Sequence, residues 1–277
     1  MRFDQLTIII VTFKSEEKIY SCLNSIPNQA NVIIVENSSN QNFKESIERK
    51  YPNVRCLLAG KNLGYATANN IGLEQVNTKF ALILNPDTSL KEDTIKNFFV
   101  CAEKIPDFWL IGPSNNQSKN ISFGENLIQE VNNLKGFGVF FNIEKFKKKF
   151  FDENYFLYFE EIDLCANIKK KGGKIYLSKN IIIHHDSASS VNRDNALELE
   201  KNRNWHWMWS TFYFYKKHKG FTLAILLIFP KLISSIFKIL FYLIAFNKDK
   251  RDIYFCRMSG ILNSIFGKKS WYRPKLD

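Results

Sequence analysis

A chain of 277 residues with 45% hydrophobic content can bury a full core and is too apolar to be disordered. Its five cysteines, Cys22, Cys56, Cys101, Cys165 and Cys256, form no CxxC pair and no metal-ligand spacing, which reads as free thiols in a reducing compartment. The net charge of +12 is uneven, because residues 191–277 hold 16 Lys and Arg against 6 Asp and Glu. A nearly neutral, domain-sized portion followed by a basic one implies a globular domain plus a surface for polyanions, either anionic lipid or nucleic acid. The start, "MRFDQLTIIIVTF", has an apolar run too short for a signal peptide, so a cytoplasmic location is expected.

In chain order, "LTIIIVTF" reads as a strand, and "KSEEKIYSCLNSI" follows as a helix with Ile19, Cys22, Leu23 and Ile26 at helical spacing. The pattern repeats with "NVIIVEN", "FKESIERKY", "VRCLLA", "GYATANNIGLEQV", "KFALILN" and "EDTIKNFFVCAEKI". Strands apolar on both faces, alternating with helices, predict an α/β fold with a mostly parallel, Rossmann-like sheet covered on both sides. Ligands in such sheets bind at the carboxyl ends of the strands. Residues 112–126 form a polar loop, followed by a strand "GFGVFFN" and a basic helix "IEKFKKKF". A helix over 160–171 ends at Gly172-Gly173, and strands "KIYL" and "NIIIHH" come next. A boundary in the apolar-poor stretch 192–204 divides the chain into a domain at 1–200 and a tail at 201–277.

Polar residues converge on one strand-end edge: Thr12 after the first strand, Glu36 and Asn37 after the second, Asn85 and Asp87 after the fourth. Any one of them alone is ordinary turn chemistry. Asp87 could hold a hard divalent cation, whose other positions phosphate oxygens would fill. His184 and His185 end another apolar strand, and alternation sends them to opposite faces, so only one can face that pocket. In "FLYFEEIDLC", Glu160, Glu161 and Asp163 sit at a helix start, where acidic residues complement the macrodipole. A carboxylate against an apolar wall also has its charged form disfavoured, which suits a general base. Glu160 and Asp163 share a helical face, and Glu161 is rotated about 100° from Glu160.

Seven stretches in order, "TIIIVTFKSEEKIYSCLNSI", "VIIVENSS", "NLGYATANNIGL", "LILNPDT", "GFGVFF", "FFDENYFLYFEEIDLC" and "IIIHHDSAS", resemble the family 2 glycosyltransferases of the GT-A fold, most closely a bacterial rhamnosyltransferase-like branch. The resemblance covers residues 6–190 and implies a nucleotide-diphospho-sugar donor and inversion at the anomeric carbon. Under it, Thr12, Phe13, Glu36, Asn37, Asn62, Gly64, Asn70 and Asn85 line the nucleotide-sugar pocket, and Gly136, Phe137 and Gly138 the acceptor side. Asp87 and His184 match the family's metal-binding Asp and late His, for Mg²⁺ or Mn²⁺. Glu161 stands where the family's catalytic base is usually Asp, with Glu160 and Asp163 supporting it, and Asn167 replaces the usual basic residue a turn later. Asn85 replaces the first Asp of the Asp-x-Asp element.

"FTLAILLIFPKLISSIFKILFYLIAF" (221–246) is long enough to span a bilayer, but Lys231, Ser234, Ser235, Lys238 and Tyr242 make one polar stripe along it. This predicts a helix lying in the membrane interface with its lysines among anionic headgroups; a membrane hairpin and a helix packed on a protein surface are the alternatives. Residues 253–266 repeat the pattern with Arg257, Gly260 and Ser264. The aromatic, basic stretch "NWHWMWSTFYFYKKHKG" leads into this lipid-like helix, so nucleic acid is not expected as a partner. The expected function is sugar transfer to a saccharide or lipid-linked acceptor in polysaccharide or lipopolysaccharide synthesis. A non-catalytic nucleotide-sugar or polyanion binder on the same fold is the competing reading. A Rossmann dehydrogenase is disfavoured, since no GxGxxG follows the first strand.

Overall fold

The apolar runs form strands β1 (Leu6–Thr12), β2 (Asn31–Glu36), β3 (Val54–Leu58) and β4 (Phe80–Leu84), separated by helices α1 (Glu16–Asn24), α2 (Gln41–Lys50) and α3 (Tyr65–Glu74). The computed structural model describes residues 2–114, 127–147, 149–186 and 193–273. The polar loop expected at 112–126 lies, from residue 115, outside the described residues; so do residues 187–192 of the histidine motif and linker, and 274–277. Then come β5 (Thr88–Leu90), α4 (Thr94–Lys104), β6 (Phe108–Pro113), β7 (Ile128–Glu130), β8 (Gly138–Asn142), α5 (Glu160–Lys170), β9 (Lys174–Ser178) and β10 (Ile183–His185). Three long helices end the described chain: α6 (Arg193–Lys219), α7 (Phe221–Ile244) and α8 (Lys248–Ile265).

Eight strands form one mixed sheet in the order β3-β2-β1-β4-β8-β6-β9-β7, and β10 and β5 form a separate pair. β1 runs parallel to β2 and to β4, with Thr12 opposite Glu36, so the polar strand ends share one edge as the sequence predicts. β4 is buried along its whole length and β1 at all but Val11, which is why neither shows the polar alternation of a one-sided sheet. One core face is aromatic, with Phe140 stacked between Phe98 (4.9 Å) and Phe80 (5.1 Å). Gly72 lets α3 approach the sheet: a Cβ there would stand 2.6 Å from Ile9 Cγ2.

The basic helix expected over 143–150 does not form. Among the described residues of that stretch only a 3₁₀ turn, Ile143–Lys145, is present. Phe146, Phe150 and Phe151 all pack on Phe141, and the Asn70 amide bonds both the N–H and the C=O of Phe151 (3.0 Å each), which holds the chain in a non-helical course.

The chain separates into two compact units, one of Met1–Asp152 with Glu161–Ser187 and one of Glu153–Glu160 with Ala188–Asp277. Much of the stretch that the sequence reading took as a boundary, 192–204, lies in α6. In the second unit, the apolar run before Glu160 packs on α6: Tyr155 meets Tyr213 edge-on, Phe156 lies against His206, and Tyr158 and Phe159 flank Trp207. Ser210 Oγ donates to Leu157 O (3.0 Å). His206 is enclosed between Ser270 Oγ and Tyr272 O, and burial pushes its imidazole down to about 3, so it is neutral at physiological pH.

The polar stripe of α7 runs along α8, with Ser235 buried, Lys231 and Tyr242 half-buried, and Ser234 and Lys238 exposed. Ser235 is buried and donates to Lys231 O, Lys238 Nζ donates to Tyr254 Oη (3.0 Å), and Tyr242 stacks on Tyr254. On α8, Gly260 abuts the Trp205 carbonyl and Ser264 Oγ donates to Trp209 O (2.9 Å). Polar and small side chains allow close helix packing, which leaves the large apolar residues of α7 outside.

Candidate active site

The carboxyl-end edge of the sheet carries the predicted residues in distinct states. Thr12 is buried with no partner for its Oγ1 among the described residues, and Phe13 beside it is half-buried. Glu36 is buried, and its carboxylate accepts from Ser38 N (3.1 Å), Ser38 Oγ (2.6 Å) and Asn40 N (3.1 Å). It thus organises the turn into α2, which Asn40 caps through Phe43 N. Asn37 accepts from Leu63 N (2.8 Å) and donates to Asn62 Oδ1 and Gly64 O, while Asn62 accepts from Gly64 N. Gly64, at φ +85°, precedes α3 in a conformation that favours glycine. These bonds fix the loop between β3 and α3. Asn70 is spent on Phe151, so it positions the neighbouring chain.

Asp87 lies just beyond β4, at the entry to β5. Asn85 N donates to Phe137 O (3.0 Å), and Asn85 O accepts from Thr88 N and Thr88 Oγ1, which locks the turn that carries Asp87. β10 pairs antiparallel with β5, His185 opposite Thr88, and Asp186 N donates to Asp87 O (3.0 Å). This register brings His185 Nε2 to 3.3 Å from Asp87 Oδ1. His184, the residue expected there, is exposed on the other face of the strand. The reason is parity, because Ile181 and Ile183 point into the core and His185 continues their row. Phe137 stacks on the His185 ring (4.8 Å, 8° between planes), which fixes its orientation.

Gly136, Phe137 and Gly138 connect this corner to the acidic helix. Phe137 covers His185, Gly138 leaves room for Ile183, and a Cβ on Gly136 would meet Tyr65 Oη at 3.5 Å and Glu161 Cβ at 3.8 Å. Tyr65 Oη donates to Gly136 O (2.6 Å), a role that sequence reasoning missed; its position as the first residue of α3, right after Gly64, was the available signal. Glu161 keeps an enclosed Oε2 with no partner among the described residues, although the residue as a whole is partly exposed. Burial pushes its carboxyl up, against the backbone N–H groups of Glu161 and Ile162, which pull it down. Glu160 and Asp163 are buried, and Asp163 accepts from Asn167 Nδ2 (2.9 Å), which holds Asp163 in place. Tyr158 and Phe159, just before the helix, sit at φ +69° and +71°, a conformation costly to non-glycine residues and common next to functional groups.

Among the described residues no three His, Cys, Asp or Glu side chains gather into a metal cluster. The Asp87–His185 pair could supply two ligands to a divalent cation that takes its other ligands from water or a bound anion.

A hexosyltransferase of low-salt glycan biosynthesis from Haloferax volcanii, Agl10, is 24% identical over 195 residues, which are 61% of this chain and 62% of that protein. The chain therefore spans less than two thirds of that relative's length. An N-acetylglucosaminyl-diphospho-decaprenol L-rhamnosyltransferase of Mycobacterium tuberculosis is 24% identical over 248 residues, covering 71% of this chain and 80% of the relative. Among solved structures, the mannosyltransferase PcManGT of Pyrobaculum calidifontis, in complex with GDP-Man and Mn²⁺, aligns over 96% of this chain and 88% of its own with TM-score 0.59 and 13% identity, a likeness of GT-A fold. The model of glycosyl transferase family 2 matches residues 7–163, which run from the first strand through the acidic helix start. That match takes in more than half of the chain, and the chain belongs to glycosyl transferase family 2.

Proposed function

We propose that this glycosyltransferase inverts the anomeric carbon as it moves a sugar from a nucleotide-diphosphate donor to a hydroxyl of a lipid-linked saccharide in cell-surface polysaccharide synthesis. The observation that carries the reading is the run Gly136–Phe137. It links a carboxylate with an unpartnered, enclosed oxygen, Glu161, to the Asp87–His185 pair at the strand edge. An inverting transfer needs one base on the acceptor side and charge neutralisation on the leaving side. Glu161 takes the proton from the attacking hydroxyl, and the apolar surroundings that raise its affinity for protons serve that step. Asp87 and His185 would hold a divalent cation, which when bound would supply Lewis-acid neutralisation of charge on the diphosphate. Thr12, Glu36, Asn37, Asn62 and Gly64 shape the seat of base and ribose, Asn85 holds the Asp87 turn, and Gly136 leaves space for the acceptor. Glu160 and Asp163 fix the start of the helix that presents Glu161.

The lipid-linked acceptor is supported by likeness to a relative named for a diphospho-decaprenol substrate, and rhamnose is a candidate sugar for the same reason. The test is transfer of labelled sugar from dTDP-, UDP- and GDP-donors to a polyprenyl-diphospho-N-acetylglucosamine, with Mn²⁺ or with a chelator. Metal-dependent transfer from one donor class is expected. Binding of nucleotide with neither transfer nor donor hydrolysis would leave a non-catalytic binder.

A further inference from the structure

Helix α7 is inverted relative to a helix that snorkels its lysines into headgroups. Ala224 and Ile228 join Met208, Phe212 and Ile261 in one cluster, and Lys231, Ser235, Lys238 and Tyr242 continue the same face along α8. Burial and the nearby Arg257 hold Lys231 below the usual lysine range, as expected of an ammonium turned toward other helices. On the opposite face Phe229, Phe237, Leu240, Phe241 and Ile244 each keep more than half of their surface exposed. A soluble surface rarely leaves so many large apolar side chains in one contiguous patch.

Charge identifies the occupant. Exposed lysines bracket the apolar face at both ends: Lys216, Lys217 and Lys219 before it, Lys248 and Lys250 after it. A helix that crosses a bilayer with lysines at both ends would place one group on the unfavourable side. Basic groups at both ends instead suit a helix whose two ends stay at one anionic surface. α8, packed along α7, carries Lys248, Asp249, Lys250, Arg251, Asp252 and Arg257 and is unfit for a hydrocarbon layer. By length and composition α7 could cross a membrane, but doing so would carry Lys231 and Lys238 with it, away from Tyr254 and the rest of α8.

We propose that α7 is a monotopic wedge, lying in the plane of an anionic leaflet with its Phe237–Phe241–Ile244 face among the acyl chains and its lysine row turned away from lipid toward α8. This rests on, and deepens, the lipid-linked acceptor reading, because a wedge at acyl depth keeps the enzyme where a polyprenyl chain is anchored.

The full chain is tested on vesicles of phosphatidylcholine with phosphatidylglycerol, and of phosphatidylcholine alone. The five native cysteines are buried, so single cysteines introduced at Phe237, Phe241, Lys219 and Lys248 take probes selectively. A fluorophore at 237 or 241 is expected to be quenched by acyl-chain bromolipid, while cysteines at both 219 and 248 react with an impermeant maleimide from outside. Phe237→Asp with Phe241→Asp is expected to lower co-flotation with anionic vesicles about tenfold or more and to leave donor hydrolysis unchanged. Labelling of only one end would mean a spanning helix and overturn the wedge. Unquenched probes, or undiminished flotation of the double variant, would overturn it as well. Conversion of a dimer to a monomer by the double variant, with no vesicle binding by either form, would assign the face to a second copy of the chain. If the wild type floats yet transfers no sugar, the acceptor reading fails and the wedge stands; transfer without flotation gives the reverse.

Discussion

The choice between two adjacent histidines is the finest-grained feature of the site. His185 faces Asp87 because it continues the inward row of Ile181 and Ile183, and that row could not be told from its alternate in "IIIHH", where every preceding residue is isoleucine. His185→Ala is expected to lower transfer by about 10–100-fold and to raise the Mn²⁺ concentration needed, whereas His184→Ala stays within about twofold of wild type; a metal titration of the transfer rate separates them. As the proposed base, Glu161 should carry the pH dependence of transfer. Its folded-state proton affinity is raised by burial, and it acts as a base only when ionised, so transfer should fall on the acid side at a pH above the ordinary glutamate range. The kcat against pH profile with the acceptor saturating checks this. The same shift works against folding at neutral pH, because ionising Glu161 is harder in the fold than in the unfolded chain. Glu161→Gln should therefore keep or raise the melting temperature at pH 7, and thermal unfolding measures it. The only sequence signal of Tyr65 was its position right after Gly64 at the start of α3, and that position does not say that its hydroxyl reaches Gly136 O.

At the scale of elements, the βαβ alternation was readable because β1, β2 and β4 are apolar on both faces and their helices carry a clear apolar stripe. Gly72 belongs to this level: it sits in mid-helix where glycine is unfavourable, and the close approach of Ile9 explains it. Gly72→Val should destabilise the fold by about 1–3 kcal/mol through overpacking, seen as an earlier midpoint in urea unfolding. The stretch "IEKFKKKF" misled because Phe146 and Phe150 are four apart, as in a helix, yet both reach Phe141 from a chain held by Asn70. α7 misled in the opposite sense. Its polar stripe was legible, but periodicity alone does not say which side faces water, lipid or protein. α8 supplies that information through contacts such as Lys238 to Tyr254, which the pattern of α7 by itself does not contain.

For the molecule as a whole, the family match falls within the nearly neutral part of the chain. The family model ends at residue 163, within the nearly neutral part, and most of the basic charge belongs to residues 191–277, where the three long helices lie. The fold was legible because motif order carries through most of the first unit, whereas the packing of α7 on α8 within the second depends on contacts that periodicity does not reveal. The central claim is that Glu161 is the base of an inverting transfer whose donor is held elsewhere. It is tested most directly by Glu161→Gln, with nucleotide-sugar affinity by calorimetry and sugar transfer measured on the same preparation. Wild-type affinity for the donor with transfer reduced at least about a thousandfold is the expected result; transfer near the wild-type rate would contradict it and move the base to another residue.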